Sequence, residues 1–101
     1  MPANQALRVL IAEDGAADRL LLAQIVRRQG HEVCTAENGA PAVQLFIQQR
    51  PQIVLLDALM PVMDGFEAAR QIKALAGEAL VPIIFLTSLN EEQGLVRCLE
   101  A

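Results

Sequence analysis

Apolar and polar positions follow two rhythms along the chain. Four short runs, Leu7 to Ala12, His31 to Ala36, Gln52 to Asp57 and Val81 to Thr87, are separated by longer segments in which apolar residues recur every three or four positions. The first, third and fourth runs are almost wholly aliphatic, as in strands covered on both faces. Such strands alternating with helices predict an α/β fold built on a parallel sheet.

The periodic segments carry their own boundaries. Leu21, Leu22, Ile25 and Val26 fall on one side of a first helix, and Gly30 supplies the left-handed residue that closes it. Pro41 opens a second helix with Val43, Phe46 and Ile47 on one face, ending before Pro51. A third begins at Asp64, with Glu67 three residues on, and turns Phe66, Ala69 and Ile72 inward until Gly77. Ser88 and Glu91 repeat the capping spacing, which predicts a fourth helix with Leu95, Cys98 and Leu99 along one side. Asn38-Gly39 is a hairpin dipeptide elsewhere, but here it precedes a helix. The order is therefore β-α-β-α-β-α-β-α, with connections of about two to six residues.

Composition narrows the function. A chain of 101 residues is one domain with one core, and 53% hydrophobic with only 3% aromatic residues makes that core aliphatic. The net charge is −4 and the eight Lys and Arg are scattered, so no stripe for nucleic acid forms and none is expected to bind. Cys34 and Cys98 lack CxxC spacing and a neighbouring histidine cluster; both read as reduced, half-buried small hydrophobes. No charged leader and no run of about eighteen apolar residues is present, which predicts a cytoplasmic protein without a membrane span.

Strand ends are the place to look for chemistry, because ligands of open parallel sheets bind beyond the carboxyl ends of the strands. The first strand ends in Glu13-Asp14, the third in Asp57 and the fourth in Thr87-Ser88. With the strands in the order 2-1-3-4, the three carboxylates converge. Close anions repel, and raised pKa values or a bound cation relieve them; hard oxygen ligands with open positions suit Mg²⁺. Taken singly, Glu13 or Asp14 has a simpler role as a cap on the first helix. Asp57, between Leu56 and Ala58, has no basic neighbour in sequence to explain it. His31, the single histidine, reads as a structural residue at the start of an edge strand.

Together the stretches VLIAEDG, IVLLDALMPVMDGFE and VPIIFLTS resemble the receiver domain of two-component response regulators, from about Leu7 onward and without gaps. The resemblance implies a flavodoxin-like doubly wound parallel sheet, with residues 1–101 as one receiver domain. It implies that Asp57 accepts a phosphoryl group from a phosphohistidine on a sensor histidine kinase or a histidine phosphotransfer protein. Asp14 and Asp57 would bind Mg²⁺ directly, Glu13 through a metal-bound water, and the Leu59 backbone carbonyl would be a further ligand. Thr87 would hydrogen-bond the phosphoryl oxygen, helped by the backbone N–H groups of Ala58 and Ser88. Such a domain is a phosphorelay switch more than a turnover enzyme, acting on a C-terminal output domain or through homodimerisation. Met60-Pro61, Met63 and Asp64-Gly65 belong to the architecture of the loop and helix that follow.

Two departures stand out. The acidic pair is Glu-Asp where Asp-Asp is commoner, a change the second-hand role of Glu13 tolerates. Similar domains also continue through a fifth strand and helix with a phosphoryl-pairing lysine, whereas this sequence ends at Ala101 and Lys73 belongs to the third helix. The resemblance thus predicts a C-terminally incomplete receiver, or a fourth strand whose aliphatic edge is covered by a partner chain. Leu59 and Leu89 flank the expected path of a hydrolytic water that neither can orient, which predicts a long-lived acyl phosphate. The alternative is an unphosphorylated receiver-like module for protein interaction. A phosphohydrolase is disfavoured because no histidine base accompanies the carboxylates, and a dinucleotide site because no G-x-G-x-x-G follows the first strand.

Overall fold

The computed structural model of the chain describes residues 6–86. They form β1 (Arg8–Ala12), α1 (Ala16–Arg28), β2 (Glu32–Ala36), α2 (Gly39–Gln49), β3 (Ile53–Asp57), α3 (Gly65–Ala76) and β4 (Ile83–Leu86). All strand pairs are parallel and the order is β2-β1-β3-β4, the flavodoxin-like arrangement expected. Thr87 and the expected fourth helix lie outside the described residues. No helix among the described residues is long and apolar enough to cross a membrane.

Register decides which side chains share a face. β1 and β3 pair Val9 with Ile53, Leu10 with Val54, Ile11 with Leu55 and Ala12 with Leu56, and successive rungs point to opposite sides. On one side Leu10, Ala12, Val54 and Leu56 are fully buried against Ala42, Val43 and Phe46 of α2 and Ala68, Ala69 and Ile72 of α3. Each large side chain sealed there contributes about 1.5–3 kcal/mol. On the other side Val9 and Ile11 meet Leu22, Ala23 and Val26 of α1, with Ile53 and Leu55 partly covered.

Two helices present narrower stripes than periodicity predicts. Leu21 and Ile25 of α1, expected inward, are 55% and 48% exposed, and Ile47 of α2 is 44% exposed. Ala23 is the buried residue of α1, and Ala42, Val43 and Phe46 are buried on α2, while Leu21, Ile25 and Ile47 lie on the outer flanks among the described residues. β4 was expected to be covered on both faces, yet Ile84 is 48% exposed; among the described residues β4 is the edge of the sheet.

Helix ends follow local chemistry. α2 begins two residues before Pro41, because Asn38 Oδ1 accepts the Ala40 N–H at 2.8 Å. Pro41 then sits in the first turn, where a missing N–H leaves no bond unmade. Asp64 caps α3 by accepting the Glu67 N–H at 2.9 Å. Gly30 at φ 90° follows α1, the left-handed stop that the sequence predicts, and Gly77 at φ 62° ends α3 where expected. The β3–α3 connection, residues 58–64, is longer than the expected range.

His31 and Cys34 have structural partners. His31 Nδ1 accepts the Leu7 N–H at 3.0 Å, tying β1 to the start of β2. Burial pushes the half-buried Cys34 thiol upward in pKa, and the thiol donates to the Val9 carbonyl at 3.8 Å.

Candidate functional site

The ladder that builds the sheet also sets the acidic groups. Glu13 donates its N–H to the Ala36 carbonyl at 3.0 Å, extending β1 by one residue, and Asp57 closes β3 opposite Leu86. By alternation Glu13 follows Val9 and Ile11, and Asp57 follows Ile53 and Leu55, so both carboxylates emerge on the α1 side. Asp14 joins them from the turn into α1. One carboxylate oxygen from each of Glu13, Asp14 and Asp57 lies within 4.8 Å of the others.

The cluster faces an open cleft of ≈ 620 Å³, whose walls include Asp18, Leu21 and Leu22 of α1, Leu59, and Phe85 of β4. Glu13 and Asp57 are half-buried and Asp14 is exposed. Gly15 donates its N–H to Glu13 Oε2 at 2.9 Å, and Leu59 donates its N–H to Asp57 Oδ1 at 3.4 Å.

These donors do not balance the charge. Burial, reinforced by the Asp57 charge, raises the Glu13 carboxyl to about 7 against the lowering effect of the Gly15 N–H. Asp57 is also raised, first by burial and then by Asp14, with the Leu59 N–H opposing. The ion pairs among the described residues, Arg8 with Glu32 and Arg70 with Glu67, lie elsewhere. An oxygen-only donor set that is short of positive charge and open to water fits a hard divalent ion such as Mg²⁺.

Of the residues expected at the site, the structure brings Glu13, Asp14, Asp57 and Leu59 together; Thr87, Ser88 and Leu89 lie outside the described residues. Ala58, expected to offer its backbone N–H to a phosphoryl oxygen, sits at the end of β3 beside Asp57. Its N–H continues the ladder by donating to the Leu86 carbonyl at 3.3 Å, and the backbone N–H aimed at the Asp57 carboxylate is that of Leu59. Arg19 was not anticipated. From the first turns of α1 its Nη1 donates to the carbonyls of Glu13 at 2.9 Å and Asp14 at 3.5 Å, pinning the acidic turn. Its signal in the sequence was a cation one turn into the helix that follows an acidic pair.

Known proteins are similar to this chain in sequence and fold. A family model for the response regulator receiver domain matches residues 9–101. Protein PilH of Pseudomonas aeruginosa is 36% identical over 85 residues, covering 84% of this chain and 70% of PilH. The transcriptional regulatory protein AfsQ1 of Streptomyces coelicolor is 39% identical over 93 residues, covering 92% of this chain and 40% of AfsQ1. Relatives such as AfsQ1 are thus more than twice as long as the segment matched.

Among solved structures, the response regulator domain of Thermotoga maritima CheB superposes with a TM-score of 0.77 at 30% identity, covering 93% of this chain and 69% of that one. A CheX-CheY-BeF3-Mg²⁺ complex from Borrelia burgdorferi contains a chain similar at a TM-score of 0.78 and 30% identity, with 93% and 71% covered.

Proposed function

The chain belongs to the family of response regulator receiver domains, and we propose that it is a phosphoacceptor switch in which Asp57 takes a phosphoryl group from a phosphohistidine donor. The supporting observation is the meeting of three carboxylates from two adjacent strand ends at the mouth of an open cleft. An Asp57 oxygen bonds to phosphorus as the phosphorus–nitrogen bond of the donor breaks; the imidazole leaves with the electron pair and takes up a proton, and an acyl phosphate remains on Asp57. Asp14, Asp57 and the Leu59 carbonyl would hold Mg²⁺, with Glu13 acting through a bound water, and the ion would supply positive charge to offset the phosphoryl oxygens.

The remaining work is positional. Arg19 holds the turn that carries Glu13 and Asp14, and the Leu59 N–H orients Asp57. The Leu59 N–H stands ready for a phosphoryl oxygen, and the Ala58 N–H becomes a second donor when it releases Leu86. Thr87 and the Ser88 N–H complete the set. The donor is a sensor histidine kinase or a histidine phosphotransfer protein in the cytoplasm, and the readout is an output domain or a homodimer.

Intact-mass spectrometry of the folded chain, incubated with a small phosphodonor with and without Mg²⁺, tests the reading. One added phosphoryl group is expected, dependent on Mg²⁺ and lost in Asp57→Asn. A folded chain that gains none sinks the phosphoacceptor role and leaves an unphosphorylated interaction module in its place.

A further inference from the structure

We propose that Gly39, at the start of α2 and outside the acidic cluster, is a positioning residue that sets the cation affinity of the site by holding the β3–α3 connection. The inference rests on the carboxylate cluster being a Mg²⁺ site. The connection, residues 58–64, bears Leu59, whose N–H contacts Asp57 Oδ1 and whose carbonyl is the ligand proposed above. Whatever fixes this segment therefore fixes one corner of the site.

Met60 roots the connection in the core, but the backbone at Val62 works against the conformation that the connection holds. Val62 is held at φ 68°, a region that a β-branched side chain rarely adopts, and it is 88% exposed, so its own packing does not compensate. Two hydrogen bonds close the segment on itself, Met63 N–H to the Pro61 carbonyl at 2.7 Å and Gly65 N–H to the Ala58 carbonyl at 2.9 Å. A third comes from outside: Gly39 donates its N–H to the Met63 carbonyl at 2.8 Å. Through it the first residue of α2 grips the connection at the end opposite to Ala58.

Glycine is required there by contact distance. A Cβ on residue 39 would stand 2.6 Å from the Met63 carbonyl oxygen, 2.9 Å from Met63 Cγ and 3.0 Å from the Asp64 carbonyl oxygen. Alanine is the better helix former, but its methyl group would push backbone, which cannot swing aside as a side chain can. The far root of the connection is equally closed, because a Cβ on Gly65 would run into the Asp57 carbonyl oxygen. A displacement forced at Met63 is then confined to the segment between two anchored ends, and reaches Leu59 through the buried Met60 that adjoins it.

Isothermal titration of Mg²⁺ into the wild-type chain, Gly39→Ala and Asn38→Ala tests this; the chain has no Trp or Tyr to report binding by fluorescence. Asn38→Ala removes the cap on the Ala40 N–H and so weakens the same end of α2 without intruding on the connection. Gly39→Ala is expected to weaken Mg²⁺ binding by about tenfold or more, the effect of losing an outer-shell support, while Asn38→Ala stays within about twofold. Equal affinities for the wild-type chain and a folded Gly39→Ala, or equal losses in the two variants, overturn the proposal. A wild-type chain that binds no Mg²⁺ removes the parent reading together with it. Should Gly39→Ala fail to fold, amide exchange of the wild-type chain decides: coupling is reciprocal, so Mg²⁺ must slow exchange at the Gly39 N–H relative to Gly30, and unchanged exchange overturns the proposal.

Discussion

The two faces of the sheet are made of similar aliphatic residues and do different work. On the α2–α3 face, Leu10, Ala12, Val54 and Leu56 are fully buried beneath Phe46 and Ile72. On the α1 face the buried helix residue among the described residues is Ala23, with Leu21, Ile25 and Ile84 about half exposed, and the carboxylates emerge at its end. Stability is concentrated where cover is complete. Among the described residues the acidic cluster opens at the end of the less covered face, beside a cleft that leaves room for a hydrated ion. The contrast teaches that alternation along β1 and β3 separates two functions, one residue apart in sequence.

Cutting into each face is the strongest test of that division. Phe46→Ala removes a side chain that is 1% exposed and fills the centre of the sealed face. It should cost about 3–5 kcal/mol, a large part of the total of about 5–15 kcal/mol for a domain. Urea unfolding followed by far-UV circular dichroism measures the loss, and a cost near zero would mean that this face is not the stabilising one.

A smaller effect belongs to the open face and changes sign with conditions. Glu13 titrates at about 7 in the folded chain against an ordinary 4.5, so between those values the folded state holds a proton that the unfolded state has released. Metal-free stability should therefore be greatest below pH 4.5 as far as this group is concerned, and fall as pH rises to about 7. Asp57, raised for the same first cause, acts in the same direction. Melting temperatures taken across that window should fall with pH, flatten in saturating Mg²⁺, and fall less in Glu13→Gln. A metal-free profile that rises through the window would refute the electrostatic account of the cluster. Mg²⁺ binding near pH 6 should also release protons, since ligands must ionise to bind.

The smallest expected change is at Leu21→Ser. The residue is 55% exposed on the α1 face, so the effect should stay within about 0.5 kcal/mol. A loss comparable to that of Phe46→Ala would show that this face is sealed after all.

Much of the architecture was legible from neighbours along the chain. Asp64 capping Glu67, Gly30 as a left-handed stop, Gly77 as the end of α3, and aliphatic runs at strand period are each decided within a few residues. Errors arose where a decision depended on contacts across space. Periodicity weighs Leu21 and Ile25 above Ala23, whereas in the fold Ala23 is the buried residue of α1. Pro41 marked the right helix but not its first residue, because the Asn38 side chain supplies a cap two residues upstream.

The site divides in the same way. Glu13, Asp14 and Asp57 stood out in the sequence because acidic residues at the ends of apolar strands are costly without a partner. For Arg19 the order of residues offered only a cation one turn into the helix after the acidic pair, and it did not show that Ala58 would give its N–H to Leu86 and leave Leu59 facing the carboxylate.

By itself the sequence determined the alternating α/β order, the resemblance to its family and the identity of the three carboxylates, since hydrophobic period, capping and residue type are local properties. Only the tertiary structure decided which face the carboxylates share, how far burial raises Glu13 and how Gly39 grips the loop beside Leu59. Those depend on distances between residues far apart in the chain, and folding alone sets them.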